Sequence, residues 1–277
     1  MSMPERAIAN FDPVQIARSG QCFRFEELPG GAVRLTALGA RLTVRPAGEG
    51  RFAFSCGERE FEARWHDYFD LGTDYAAIGA RIPESDAFLR AAFASGSGLR
   101  ILRQEPWETL ASFIVSQNNN IPRIRASVEQ LCERFGERRE DGEGAFCCFP
   151  EPEALAGAGE DALRACGLGY RAAYLSGVSR MAAEGRLNLG AMSALNDEEL
   201  RQRLCALPGV GPKVAQCAML FGFHRLAAFP VDTWIRRSLQ AHYPQGFPLE
   251  RYADCGGVIQ QYMFCYERKT AKEGKRA

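Results

Sequence analysis

The run Leu207-Pro208-Gly209-Val210-Gly211-Pro212-Lys213-Val214-Ala215 holds a lysine just past two closely spaced glycines. A helical pattern with Leu200, Leu204 and Cys205 leads into it, and another starts at Pro212. Two glycines around one apolar residue allow a very tight turn, with Val210 as a plug between the helices. The main-chain N–H groups at the start of the second helix are then free to hold a phosphate, without reading any base. A nucleotide-binding P-loop is ruled out, because the four residues it needs between its glycines are missing. Lys213 falls in the first helical turn, a poor place for a cation. That position, with burial beside Val210 and Cys217, would favour the neutral amine. Nucleophilic chemistry needs that form, of which an ordinary lysine offers only about 1 part in 10³ near pH 7. Two readings stand side by side: a nucleophile, or a lysine that contacts phosphate.

The run Phe229-Pro230-Val231-Asp232-Thr233-Trp234 ends an apolar stretch and opens a helix with Asp232 at its N-cap. Aspartate is common there for purely structural reasons. A carboxylate held close to the hairpin could instead take a proton from Lys213 and stabilise positive charge on a sugar ring.

The elements that must position these groups change character along the chain. Val33, Leu35 and Ala37 alternate with Arg34 and Thr36; Leu42 and Val44, Phe52 and Phe54, then Phe61 and Ala63 follow, with glycines between. This period of two predicts antiparallel strands with one buried face. From about Ser85 the period becomes helical, with helices expected from near Pro106, Pro122, Tyr170, Asn196, Pro212, Asp232 and Leu249. The stretch Gly136 to Gly144 reads as a loop, and the charged end from Lys269 to Ala277 as frayed. The expected class is α+β: an antiparallel β-rich domain over residues 1–95, then a larger all-helical domain over 96–277.

Hydrophobic residues make up 46% and charged residues 25% of the 277 positions, the balance of a folded domain with a sizeable core. No cationic leader precedes an apolar stretch and no run is long enough to span a bilayer, so we expect a cytoplasmic, nucleoid-associated protein or a nuclear one. The ten cysteines show no C-x-x-C, only the adjacent pair Cys147-Cys148. Buried reduced thiols are favoured over disulfides or zinc. Lysine plus arginine equals aspartate plus glutamate at 34 each. The charges are nevertheless segregated: from Arg201 to Gln240 only Asp232 opposes Arg201, Arg203, Lys213, Arg225, Arg236 and Arg237. From Glu140 to Ala162 every charge is acidic. A basic segment could meet phosphates while an acidic one faces away.

Leu207–Val214 followed by Val231-Asp232 resembles the helix-hairpin-helix-Gly/Pro-Asp glycosylase superfamily, and lysine at 213 resembles its bifunctional glycosylase/lyase branch. Three finer motifs are similar to the 8-oxoguanine DNA glycosylase family. They are Ser19-Gly20-Gln21-Cys22-Phe23-Arg24-Phe25, Ser116-Gln117-Asn118-Asn119-Asn120-Ile121-Pro122-Arg123 and Gly167-Leu168-Gly169-Tyr170-Arg171. The likeness runs from about Gly20 to Tyr266. It implies base flipping, attack of Lys213 on C1′ with Asp232 as its carboxylate partner, a Schiff base, and strand nicking by β-elimination. It further implies a base pocket of Gly20, Cys217, Gln260 and Phe264, with Gln261 as the competing register for the glutamine. Asn118 would plug the vacated stack, Tyr170 would wedge beside it, and Arg123 and Arg171 would meet the orphaned cytosine. Gly209 and Gly211 would present the hairpin to a phosphate. Trp234 departs from the family, standing where familiar eukaryotic members have a phosphate-contacting histidine.

Some repair glycosylases hold an iron–sulfur cluster on four C-terminal cysteines; only Cys255 and Cys265 are available here, so no cofactor and no metal are expected. The implied partner is duplex DNA containing 8-oxoguanine, bound by a monomer, with no membrane. The alternatives are a glycosylase for another oxidised base, or a non-catalytic hairpin protein that binds DNA.

Overall fold

The structure is a computed structural model and describes residues 3–274. Five strands, β1 (Glu5–Ala7), β2 (Phe25–Glu27), β3 (Val33–Ala37), β4 (Ala40–Pro46) and β5 (Arg51–Phe54), form an antiparallel sheet in the order β1-β5-β4-β3-β2. The alternation read along β3 is its burial pattern: Val33, Leu35 and Ala37 point into the core, opposite Val44, Leu42 and Ala40 of β4. Helix α1 (Pro13–Arg18) precedes β2, started by Pro13 and by an Asp12 side chain that accepts from Val14 and Gln15.

The expected strand at Phe61 and Ala63 is instead helical. Glu58–Glu60 (α2), the wider turn Phe61–Trp65 and His66–Tyr68 (α3) follow one another without a break. Phe61, Trp65, Tyr68 and Phe69 are the buried positions there, while Ala63 is exposed. That spacing is helical, and the longer period outweighed a two-residue alternation. Helices therefore begin well before Ser85. The buried rings pack edge to face under the sheet, with Phe11 and Phe69 centroids 5.2 Å apart and Trp65 and Tyr68 5.6 Å apart.

The helical remainder comprises α4 (Tyr75–Ala80), α5 (Ala87–Ser95), α6 (Pro106–Val115), α7 (Ile121–Phe135), α8 (Pro152–Leu163), α9 (Arg171–Ala183), α10 (Leu189–Met192), α11 (Asp197–Cys205), α12 (Pro212–Phe221), α13 (Thr233–His242) and α14 (Gly256–Glu273). Most starts follow the sequence signals: Asn120, Asn196 and Asp232 all cap helices through their side chains, Asn196 within a full capping box with Glu199, whereas the helix expected from Leu249 begins at Gly256, after a short 3-10 turn over Leu249–Tyr252. α6 is the central helix, buried from Glu108 to Val115, and it packs against α12, which carries Lys213. No helix among the described residues is long and apolar enough to cross a membrane.

The stretch expected as a loop is a hairpin, β6 (Arg138–Asp141) with β7 (Gly144–Cys147). It lies on the five-stranded sheet, where Arg41 pairs with Asp141 and Arg34 with Glu143 at 2.8 Å. Part of the acidic segment is thus docked by sheet arginines. The C-terminal stretch does not fray at Lys269: α14 runs on to Glu273, with Lys269 Nζ donating to Ser95 Oγ at 3.3 Å. The rest of that stretch, 275–277, lies outside the described residues.

The sheet meets the helices across a buried ion pair, Arg24 with Glu108 at 3.8 Å, whose side chains are 5% and 10% exposed. Burial, opposed by Arg24, pushes the Glu108 carboxyl up from 4.5 to about 7. Between those values the folded chain keeps a proton that the unfolded chain releases. Stability from this group is therefore full below about 4.5 and is lost as pH rises through about 7. We predict that urea unfolding at about pH 5 and about pH 8 shows this decline, and that Glu108→Gln removes it. An unchanged slope in the variant would locate the dependence elsewhere.

Candidate active site

The hairpin between α11 and α12 is held by hydrogen bonds from Leu207 N to Leu204 O and from Val210 N to Leu207 O, each 3.1 Å, with Val210 buried. Its two glycines are there for different reasons. Gly209 has φ +70, and a Cβ on it would sit 2.3 Å from Cγ of Tyr174 in α9. Gly211 has an ordinary φ of −86 as the N-cap of α12, and a Cβ there would meet nothing within 4 Å. Its backbone faces open space, with no side chain to satisfy the first-turn N–H groups of α12.

Pro212 opens α12 and Lys213 follows, half-buried, its Nζ 5.1 Å from the ring centroid of Phe113 on α6. Phe113 is itself stacked on Phe221 at 5.5 Å and met edge-on by Phe23 at 5.6 Å, so the ring beneath the amine is fixed. Cys217, one turn on, is buried; that burial pushes its thiol up, against the pull of the adjoining Lys213. Asp232 caps α13, its Oδ1 accepting from Ile235 N at 2.9 Å. The segment leading to it is tied to the lysine's own helix, because Gln216 Oε1 accepts from Phe229 N at 3.0 Å.

These groups converge. Lys213, Asp232, Gly20, Cys217, Gln260 and Phe264, all singled out in the sequence, line one pocket of about 50 Å³ with Ser19, Phe113, Phe221, Pro230 and Gln261. Phe113 and Phe221 escaped the sequence reading: each lies in an apolar run with nothing local to mark it. The two candidate glutamines differ in their surroundings. Gln261 Nε2 donates to Ser19 O at 3.0 Å, whereas Gln260 is buried with its Oε1 unpartnered.

A second cluster gathers beside it. Asn118, at φ +45, donates from Nδ2 to the Tyr170 hydroxyl at 3.1 Å. The Arg171 guanidinium lies over the Tyr170 ring at 4.7 Å and donates to the carbonyls of Gln117, Asn118 and Leu168. Engaging anything else would trade one of those bonds. Arg123 is exposed on the first turn of α7, and Tyr170 is 48% exposed, its ring edge-on to the Tyr174 that abuts Gly209. Ile121 joins the two clusters, since its Cδ1 would lie 3.1 Å from a Cβ on Gly20.

The basic segment is thinner than its sequence suggests. Arg201 pairs with Glu198 at 2.7 Å, and Arg225 faces Asp197 at 3.5 Å while holding the carbonyls of Ser193 and Leu195. Their acidic partners sit just outside the segment as counted. Arg236 and Arg237 remain exposed beside Trp234, itself 36% exposed.

Known proteins resemble this chain along most of its length. The 8-oxoguanine DNA glycosylase N-terminal domain matches residues 5–110, and the HhH-GPD superfamily base excision DNA repair protein family matches residues 111–246. The chain belongs to the 8-oxoguanine DNA glycosylase family of that superfamily. The Clostridium acetobutylicum 8-oxoguanine glycosylase/lyase, solved with double-stranded DNA containing cytosine opposite 8-oxoG, is 33% identical, with 98% of this chain and 99% of that one covered and a TM-score of 0.90. The structure of MBOgg1 with a low-affinity DNA ligand is 36% identical, with 96% and 95% covered and a TM-score of 0.91. The Saccharomyces cerevisiae N-glycosylase/DNA lyase is 38% identical over 203 residues, 68% of this chain and 53% of the yeast protein. The chain spans 45% to 65% of the length of the first curated relatives it matches.

The contrast between the hairpin glycines is testable. Gly209→Ala forces both a left-handed φ and a clash with Tyr174, and is expected to cost about 1–3 kcal/mol in urea unfolding. Gly211→Ala is expected to stay within about 0.5 kcal/mol. Equal losses would show that the turn demands both glycines for folding alone.

Proposed function

We propose that this chain excises 8-oxoguanine from duplex DNA, opposite cytosine, and then nicks the strand at the abasic sugar. The observation that carries the reading is the single pocket in which a half-buried lysine and a helix-capping carboxylate meet a glycine, a thiol, a phenyl ring and a buried, unpartnered amide oxygen.

In this reading the base leaves the stack and enters between Cys217 and Phe264. The Gly20 carbonyl reads the imidazole edge: 8-oxoguanine offers N7–H as a donor, whereas guanine offers a lone pair that would oppose another acceptor. Gln260 hydrogen-bonds the Watson–Crick edge. The neutral Lys213 amine attacks C1′, and the C1′–N9 bond breaks with its electron pair leaving on the base, which takes up a proton. The Asp232 carboxylate accepts the proton lost from Nζ and stabilises positive charge on the sugar. Breaking C1′–O4′, with a proton to O4′, leaves the Schiff base. Loss of a proton from C2′ then expels the 3′ phosphate, and water releases Lys213. The Phe113 ring under Nζ stabilises the positive charge of the iminium. Each step uses side chains and water, and no cofactor enters.

Asn118 fills the vacated stack, Tyr170 wedges the duplex, and Arg123 and Arg171 donate to the acceptors of the orphaned cytosine. The open backbone at Gly211 takes a phosphate, with Gly209 shaping the turn. The chain works as a monomer wherever the genome lies, in the nucleoid or the nucleus.

Borohydride trapping on a duplex with one 8-oxoguanine opposite cytosine tests the reading. A covalent adduct is expected with the native chain on damaged DNA alone, and none with Lys213→Gln, which should still bind the duplex. Absence of an adduct from the native chain, with binding intact, would leave the hairpin as a DNA-binding device only. Asp232→Asn keeps a capping side chain. It is therefore expected to fold normally yet lose at least about 10²-fold in single-turnover excision; a near-native rate would remove the carboxylate from the chemistry.

A further inference from the structure

The pocket wall formed by Gly20 is held from behind. Helix α1 ends just before it, and the last carbonyls of a helix have no intrahelical partners. Three in a row are taken by side chains from distant helices: Ala17 O accepts from Arg125 at 2.6 Å, Arg18 O from Arg268 at 3.2 Å, and Ser19 O from Gln261 at 3.0 Å. Gly20 is next, at φ +79, a backbone conformation that glycine alone adopts freely.

Of the three donors, Arg268 also touches the opposite wall. Its guanidinium carbon lies 5.1 Å from the centroid of the Phe264 ring, one turn earlier on α14. A Cβ placed on Gly20 would stand 3.6 Å from Arg268 Nη1 and 3.8 Å from Phe264 Cε1. Arg268 lines a neighbouring cavity of about 710 Å³ with Arg18, Lys269 and Lys272, whereas Phe264 lines the base pocket. Burial draws the Arg268 pKa down, opposed by Cys265 and by the Asp232 carboxylate across the pocket mouth.

We propose that Arg268 is a specificity-determining positioning residue, whose guanidinium fixes the spacing between the Gly20 main chain and the Phe264 ring. The acceptor that reads N7–H and the ring on which the base stacks are thereby set against each other by one side chain. Hydrogen bonds weaken steeply with misalignment, so a glycine loop freed from this clamp would read the base poorly. Lysine cannot substitute fully: it keeps the charge but not the planar fork that stacks and donates at once. The inference rests on the base-pocket reading above.

The test compares the native chain, Arg268→Met and Arg268→Lys in three assays: single-turnover excision of 8-oxoguanine opposite cytosine, cleavage at a preformed abasic site, and affinity for a tetrahydrofuran abasic-analogue duplex. Arg268→Met is expected to slow excision about tenfold, the size of one desolvated cation–π contact, with Arg268→Lys in between. Abasic cleavage and analogue binding need no base pocket and should stay within about twofold. In a Phe264→Leu background the Arg268→Met loss should shrink. Native-rate excision by Arg268→Met would overturn the proposal, as would equal losses in all three assays, which mark a general DNA contact or a folding defect. A native chain that cleaves abasic sites but excises no 8-oxoguanine would instead overturn the lesion assignment beneath it.

Discussion

The carbonyls at the end of α1 need partners, and the chain supplies them from helices far away in sequence. Ser19 and Arg18 accept from Gln261 and Arg268, separations of 242 and 250 residues. The segment beyond is held as firmly. Gln21, 1% exposed, exchanges hydrogen bonds with the main chain of Arg100 and Leu102, while Gln104 donates to its carbonyl. Arg24 is locked between Glu108 and the carbonyl of Cys147. This network holds the Gly20 main chain at the pocket between neighbours that are themselves tied down. The pocket exists because the first and last helices meet there.

The opposite wall has its own logic. α12 is pressed onto α6 through the Phe113 and Phe221 stack, which places Lys213 over an aromatic floor. Gln216 on that helix holds the Phe229 main chain, so the strand-like run into Asp232 is aligned with the lysine. The carboxylate spends one oxygen on the α13 N-terminus. An N-cap aspartate can therefore look ordinary in the sequence and still line the pocket.

Much of this was legible beforehand because it rests on local rules. Helix starts at Asn120, Asn196 and Asp232 follow from side chains that satisfy nearby N–H groups. The period of two along β3 matches its burial, and the hairpin glycines mark a tight turn. The misreadings share one cause. At Phe61 the alternation covered too few residues to compete with the wider spacing of Trp65, Tyr68 and Phe69. The segment around Asp141 became a hairpin because arginines on a distant sheet pair with it. Arg201 and Arg225 looked free for phosphate only because their partners lay outside the segment counted.

By itself the sequence determined the α+β class, the helix–hairpin–helix turn, and which residue types could act: an amine near a helix start, a capping carboxylate, a glycine loop. Composition and spacing act over a few residues, so they specify elements and their ends. What only the tertiary structure decided was adjacency. It put Phe113 under the amine, left the Gln260 amide oxygen buried without a partner and turned the Gln261 amide nitrogen onto the Ser19 carbonyl. It also tied Arg171 to three carbonyls, and placed Arg268 behind both pocket walls. Those outcomes come from packing between residues separated by most of the chain, where excluded volume and the need to pair buried polar groups select one arrangement.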